Sequence, residues 1–159
     1  MKTLIIARHG KAEKVALNGL DFERKLVERG KDDVQRVSEH LSTLINIQQI
    51  VSSPAARALQ TAKIIAKTFN IDKKEIVLKE GIYEASMSGL LKIINDLDNE
   101  FEVTLLAGHN PAFAFAIDYF CQTNIGHLPT AALAIIEFPF DNWQLVSAGT
   151  GKLLELMVP

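Results

Sequence analysis

Two histidines and two arginines recur in three short clusters along the chain: Arg8-His9-Gly10, Ser52-Ser53-Pro54 with Arg57 close behind, and Gly108-His109-Asn110. Guanidinium groups match the oxygens of a phosphate-like dianion in bidentate geometry. An imidazole is a competent nucleophile when it is neutral. Neighbouring arginines and burial both disfavour the imidazolium form, so His9 is expected to be neutral. Gly10 beside it is expected to let a ligand approach the backbone closely.

The elements that must position these clusters are legible in the apolar pattern. Thr3 to Ala7 and Val103 to Ala107 are short, continuously apolar runs, the pattern of strands buried on both faces. Gln49 to Ser52 reads as a further strand and Ile76 to Leu78 as a weaker one. Helical spacing carries Val34, Val37, Leu41, Leu44 and Ile45 between Glu28 and Ile45, and Ala58, Leu59, Ala62, Ile65 and Phe69 in the next helix. Two further helices carry Leu90, Leu91, Ile94 and Leu97, then Phe113, Ala114, Ile117, Phe120 and Cys121. Ser53-Pro54 and Asn110-Pro111 read as cap and first-position pairs. Beyond Pro129 three strands are expected, Ala131 to Phe138, Trp143 to Ala148 and Leu153 to Val158.

Strands alternating with helices predict an α/β fold, a three-layer α/β/α arrangement with a mostly parallel central sheet plus antiparallel C-terminal strands. Ligands of such sheets bind beyond the carboxyl ends of the strands, and each cluster sits at such an end. Arg57 adds an independent sign. A cation in a helix's first turn faces the positive end of the macrodipole at a cost of roughly 0.3–1 kcal/mol, which a bound anion would offset. Helix N-termini also offer free backbone N–H groups to an anion.

Composition narrows the classes. At 159 residues, 48% of them hydrophobic, the chain reads as one domain, 1–159, with room for a substantial core. Seventeen Lys and Arg against nineteen Asp and Glu leave a net charge of −2, without the basic stripe of a nucleic-acid binder. No apolar stretch approaches a membrane span. Cys121 is the only cysteine, so no internal disulfide or C-x-x-C metal motif exists, and a cytoplasmic setting is expected. Gly149-Thr150-Gly151-Lys152 imitates the end of a P-loop, but Val146 replaces its first glycine and Leu153 its magnesium-binding hydroxyl; it reads as a turn.

The Arg8-His9-Gly10 cluster, the segment Ser53-Pro54-Ala55-Ala56-Arg57-Ala58-Leu59-Gln60-Thr61 and Gly108-His109-Asn110-Pro111, in that order, resemble the histidine phosphatase superfamily. Asp21-Phe22-Glu23-Arg24-Lys25-Leu26, Tyr83-Glu84-Ala85-Ser86 and Leu128-Pro129-Thr130-Ala131-Ala132 are similar to segments of its compact, SixA-type phosphohistidine phosphatase branch. Lys25 and Val27 stand where that branch usually has Pro and Thr. The resemblance implies a phosphoglycerate mutase-like fold, transient phosphorylation of His9, and phosphoryl binding by Arg8, Arg57 and His109, with Arg24 as an additional contact. It implies no metal and no cofactor.

In the mechanism these residues predict, His9 attacks phosphorus while Arg8, Arg57 and a protonated His109 spread charge on the equatorial oxygens. Glu84 is the candidate general acid for poor leaving groups; Asn110, beside His109, cannot be one and is a candidate substrate contact. The interval Asn70–Glu102 is too short for a large lid, which predicts an open, shallow site and a phosphorylated protein as partner, phosphohistidine above all. The alternatives are a phosphomonoesterase or mutase acting on a small phosphorylated metabolite, and a non-catalytic phosphoprotein-binding module.

Overall fold

The computed structural model describes residues 1–159. Six strands form one sheet in the order β3-β2-β4-β1-β5-β6: β1 (Lys2–Arg8), β2 (Gln49–Ser52), β3 (Val77–Leu78), β4 (Val103–Gly108), β5 (Leu133–Phe138) and β6 (Lys152–Met157). β1 to β4 pair in parallel; β5 runs antiparallel to both β1 and β6. The α/β/α fold with an antiparallel C-terminal portion is thus as the sequence predicts. Four helices cover the sheet, α1 (Glu28–Ser42), α2 (Ala56–Thr68), α3 (Met87–Asn95) and α4 (Ala112–Cys121).

The period-two geometry of a strand splits β1 between two cores. Leu4 and Ile6 join Leu106, Leu90, Phe113 and Ile117 under α3 and α4. Ile5 and Ala7 join Leu105, Val34, Leu41 and Ile65 under α1 and α2. All of these residues except Val34 are at most 2% exposed, and full burial of each Leu, Ile or Phe side chain among them contributes about 1.5–3 kcal/mol.

Local details differ from the sequence reading where side chains found other partners. The expected strand Trp143 to Ala148 does not form: the Asn142 side chain accepts a bond from Gln144 N, and Trp143–Leu145 is a single 3-10 turn. Trp143 is fully buried, its indole N–H donating to the Phe101 carbonyl. α1 stops at Ser42, leaving Leu44 exposed rather than on the core face. α2 begins at Ala56, later than the Ser53-Pro54 pair predicts; Ser53 Oγ does accept from Ala55 N but is shared with His109 Nε2. No helix is long and apolar enough to cross a membrane.

Candidate active site

The register of three neighbouring parallel strands brings their ends flush. Arg8 stands opposite Gly108 and Ser52 opposite Ala107. Two backbone bonds carry the alignment one residue past the strands: His9 N donates to Gly108 O at 3.0 Å and Ser53 N to Ala107 O at 3.0 Å. The ring centres of His9 and His109 consequently lie 5.3 Å apart.

The segment Ser53 to Thr61 supports this rim at every polar position. Ser53 Oγ lies 2.8 Å from His109 Nε2. Gln60 Oε1 accepts from Leu26 N at 2.7 Å, tying down the long connection after β1. Thr61 Oγ1 accepts from Gly10 N at 3.0 Å and donates to Arg57 O at 2.8 Å, joining the loop of His9 to the helix of Arg57. Arg57 sits in the first turn of α2, a turn without an acidic residue.

Both histidines are buried among cations. His9 is held down to about 4, by burial first and then by the Arg57, Arg8 and Arg24 charges. Its Nδ1–H donates to the Gly10 carbonyl at 2.7 Å, and since a carbonyl can only accept, the lone pair of the neutral ring is on Nε2. His109 is held down to about 3 by burial, His9 and Arg57. This corrects the expectation of a protonated His109: in the ligand-free protein the ring is neutral. Ser53 Oγ already accepts from Ala55 N. Nε2 is the one acceptor that the Ser53 hydroxyl proton finds, and donation to it leaves the ring proton on Nδ1, so His109 offers an N–H dipole in place of a charge.

Four buried side-chain polar atoms lack a hydrogen-bond partner: Arg8 Nε, Arg57 Nε, His109 Nδ1 and Ser38 Oγ. Three of the four belong to this rim. Buried polar groups are ordinarily paired, and an unpaired one points to an absent ligand, ion or water. Three donors without acceptors beside a free imidazole lone pair define an anion site.

A cleft of about 210 Å³ adjoins the Arg57 and His109 side of the rim, lined by Asp21, Arg57, Tyr83, Glu84, His109 and Asn110 together with Ile82, Ala85, Pro111 and Ala112, with His9 and Arg8 outside its lining. Small-molecule pockets run to roughly 300–1,000 Å³, so this one has room for a small group and not for a whole large ligand. Glu84 is exposed on the rim at φ 58°, an uncommon conformation for a residue with a side chain. Asn110 donates through Nδ2 to Leu128 O, which also accepts from Arg8 Nη1; its amide braces the rim.

Two site expectations change. A Cβ on Gly10 would meet Gly30 O and Val34 Cγ2 at 2.8 Å, so the glycine serves packing against α1 rather than close approach of a ligand. Arg24 does not line the cleft: Nε donates to Glu13 O at 2.6 Å and Nη1 to Asp21 Oδ1 at 2.9 Å. Asp21 and Tyr83 were not singled out as site residues by sequence, since neither type is tied to anion binding. The Tyr83 hydroxyl donates to Asp21 Oδ2, and its ring lies 5.5 Å from that of His109.

The fold and this rim define an α/β protein with an anion site built from histidine and arginine at the strand ends. Residues 4–102 match the model of the histidine phosphatase superfamily (branch 1), and the chain belongs to that superfamily. Within it, the chain shares the SixA architecture. A SixA from Agrobacterium tumefaciens superposes with a TM-score of 0.83 at 25% identity, covering 99% of this chain and 98% of that one. The protein histidine phosphatase SixA complexed with tungstate superposes with a TM-score of 0.83 at 21% identity, over 99% and 97% of the two chains, and shows the common fold.

By sequence, a 2,3-bisphosphoglycerate-dependent phosphoglycerate mutase of Thermoplasma acidophilum is 34% identical over 112 residues, 69% of this chain and 52% of the mutase. The mitochondrial serine/threonine-protein phosphatase Pgam5 of Drosophila ananassae is 35% identical over 83 residues, 49% of this chain and 28% of Pgam5. The chain thus spans about half or less of the length of these two curated relatives.

Proposed function

We propose that the protein is a phosphatase that removes the phosphoryl group from protein phosphohistidine through a phosphorylated His9. The observation that carries this reading is the coincidence of the free Nε2 lone pair of His9 with three buried, unpartnered donors on Arg8, Arg57 and His109. In the first step Nε2 attacks phosphorus in line with the leaving nitrogen. The new N–P bond forms as the substrate N–P bond breaks, and the departing imidazole nitrogen takes up a proton from solvent, without an acid from the enzyme. Arg8, Arg57 and the His109 Nδ1–H hold the equatorial oxygens as their charge is redistributed, which is electrostatic stabilisation by donors already in place. Water then cleaves phospho-His9, releasing inorganic phosphate and restoring the neutral ring. Glu84 supplies a proton only where the leaving group is a poor one, such as an alkoxide.

The cleft lining favours phosphohistidine over a small anionic metabolite. Of the residues lining the cleft, Arg57 is the only cation, and Asp21 and Glu84 are carboxylates. A mutase acting on a bisphosphorylated or carboxylated metabolite needs a cation for the second anionic group; two carboxylates repel it. A phosphoryl group on a neutral imidazole meets no such repulsion, and the small cleft leaves the rest of a protein outside. A purely phosphoprotein-binding module would have no use for a histidine kept neutral with Nε2 free.

The test compares phosphate release by wild type and His9→Ala from a phosphohistidine-bearing protein, a phosphoserine peptide and an aryl phosphate. Release that depends on His9 and is concentrated on phosphohistidine supports the proposal. His9-dependent release confined to the small ester replaces it with a metabolite phosphatase.

A further inference from the structure

The connection after β1 is long and mostly exposed, yet it delivers one carboxylate to the clamp. Its two limbs are held by the Ala12–Leu26 bridge and by Glu13 N donating to Lys25 O at 2.8 Å. Between them Asp21 begins a 3-10 turn, Asp21–Glu23. Arg57 Nη1 donates to the Asp21 backbone carbonyl at 2.9 Å and Nη2 to Asp21 Oδ2 at 3.1 Å. Tyr83 donates to the same Oδ2, and Arg24 Nη1 to Oδ1. Phe22 stacks on Tyr83 with ring centres 5.2 Å apart, and the Arg57 guanidinium lies 5.9 Å from the Tyr83 ring centre.

A guanidinium is a planar fork with two edges able to hold an oxyanion in two bonds: the pair of terminal nitrogens, and Nε with one terminal nitrogen. Asp21 occupies the first edge with its own carbonyl and carboxylate. Nε, on the second edge, is buried and unpartnered. We infer that Asp21 is the positioning residue of the anion clamp, gripping Arg57 by its outer edge so that the Nε edge faces the phosphoryl group. This rests on the proposed phosphoryl site. It also gives the residue 11–27 connection a function: the turn is carried to the rim for its carboxylate. Asp21 suits the task because it stays ionised, its carboxyl held well below the ordinary carboxylate range by the bonds from Tyr83 and Arg24 and by the Arg57 charge. Arg57 also needs a counter-charge in the ligand-free protein, since its side chain is only 9% exposed and lies in the first turn of a helix.

The contrary role is a carboxylate plug that competes with phosphate for Arg57, and the two roles predict opposite signs. The experiment is titration calorimetry of inorganic phosphate into wild type, Asp21→Asn, Asp21→Glu, Arg57→Ala and the Asp21→Asn/Arg57→Ala double variant. Melting temperatures establish that each is folded. As a positioning residue, Asp21 should cost roughly 10-fold in phosphate affinity when changed to Asn, the scale of a lost charged hydrogen bond. Asp21→Glu should recover part of it, and Asp21→Asn should cost nothing further once Arg57 is Ala. Phosphate bound equally or more tightly by Asp21→Asn overturns the inference, as does an equal loss in the Arg57→Ala background. The readout is binding, so a protein that binds phosphate through Arg57 without His9-dependent phosphate release would sink the proposed activity and leave this inference standing.

Discussion

Ser53 Oγ lies 2.8 Å from His109 Nε2, joining the end of β2 to the end of β4 inside a fully enclosed contact. The hydroxyl orients the ring and leaves the proton on Nδ1, the atom that the proposed mechanism sets against the phosphoryl oxygens. Ser53→Ala is expected to lower kcat by about 10-fold, the scale of a hydrogen bond that orients a buried group, while the protein remains folded. Steady-state kinetics on a phosphohistidine protein, with a melting curve, checks this; unchanged kcat contradicts the assigned proton position.

Thr61 joins two loops through one hydroxyl, accepting from Gly10 N and donating to Arg57 O. Thr61→Val keeps the shape and removes the acceptor, leaving the buried Gly10 N–H unpaired. The expected loss of stability is about 1–3 kcal/mol, read as a lower urea midpoint with an unchanged m-value.

The two rim histidines make stability depend on pH. In the unfolded chain each takes up its proton near the ordinary value of 6.5, whereas in the folded protein His9 does so at about 4 and His109 at about 3. Between those values the unfolded state binds more protons, so stability falls as the pH falls. The contribution is fully present above pH 6.5 and fully lost only below the folded values. Urea midpoints should therefore drop from about pH 6.5 to about pH 4.5 in wild type, and drop less in His9→Asn/His109→Asn, which has no rim imidazole to charge. Parallel slopes for the two proteins would contradict the neutral assignments.

Glu84 stands exposed on the cleft in a left-handed conformation, a strain that frequently accompanies function. Glu84→Gln should slow hydrolysis of a phosphoserine peptide or an aryl phosphate more than that of phosphohistidine, because only the oxygen leaving groups need an acid. Equal slowing on all three substrates would show that Glu84 serves binding and not proton donation.

Much of this was legible in the sequence because it is carried by patterns with a physical period. The apolar runs of β1 and β4 are buried on both faces, and the strand ends they predict are where Arg8, His9 and His109 lie. What the pattern did not carry are contacts made across the chain. Asp21 reaches Arg57 across 36 positions and Tyr83 across 62, and no local spacing encodes either. Ser53 has the residue type of a helix cap and its Oγ does accept from Ala55 N, but the hydroxyl also reaches His109 across 56 positions, and the helix starts only at Ala56. Trp143 has strand propensity, yet burial of its ring and an Asn142 turn decide its conformation. The neutrality of His109 also depends on burial beside His9, which only the paired strand ends create.

The proposed reaction passes through a covalent phosphoryl group on Nε2 of His9. Rapid acid-free quenching of wild type with a radiolabelled phosphohistidine protein, followed by alkaline peptide mapping, tests it most directly. The account predicts an acid-labile, alkali-stable label on the peptide containing His9, absent from His9→Ala and present within the first turnover. Phosphate released at the full wild-type rate with no label on that peptide at any quench time would contradict it.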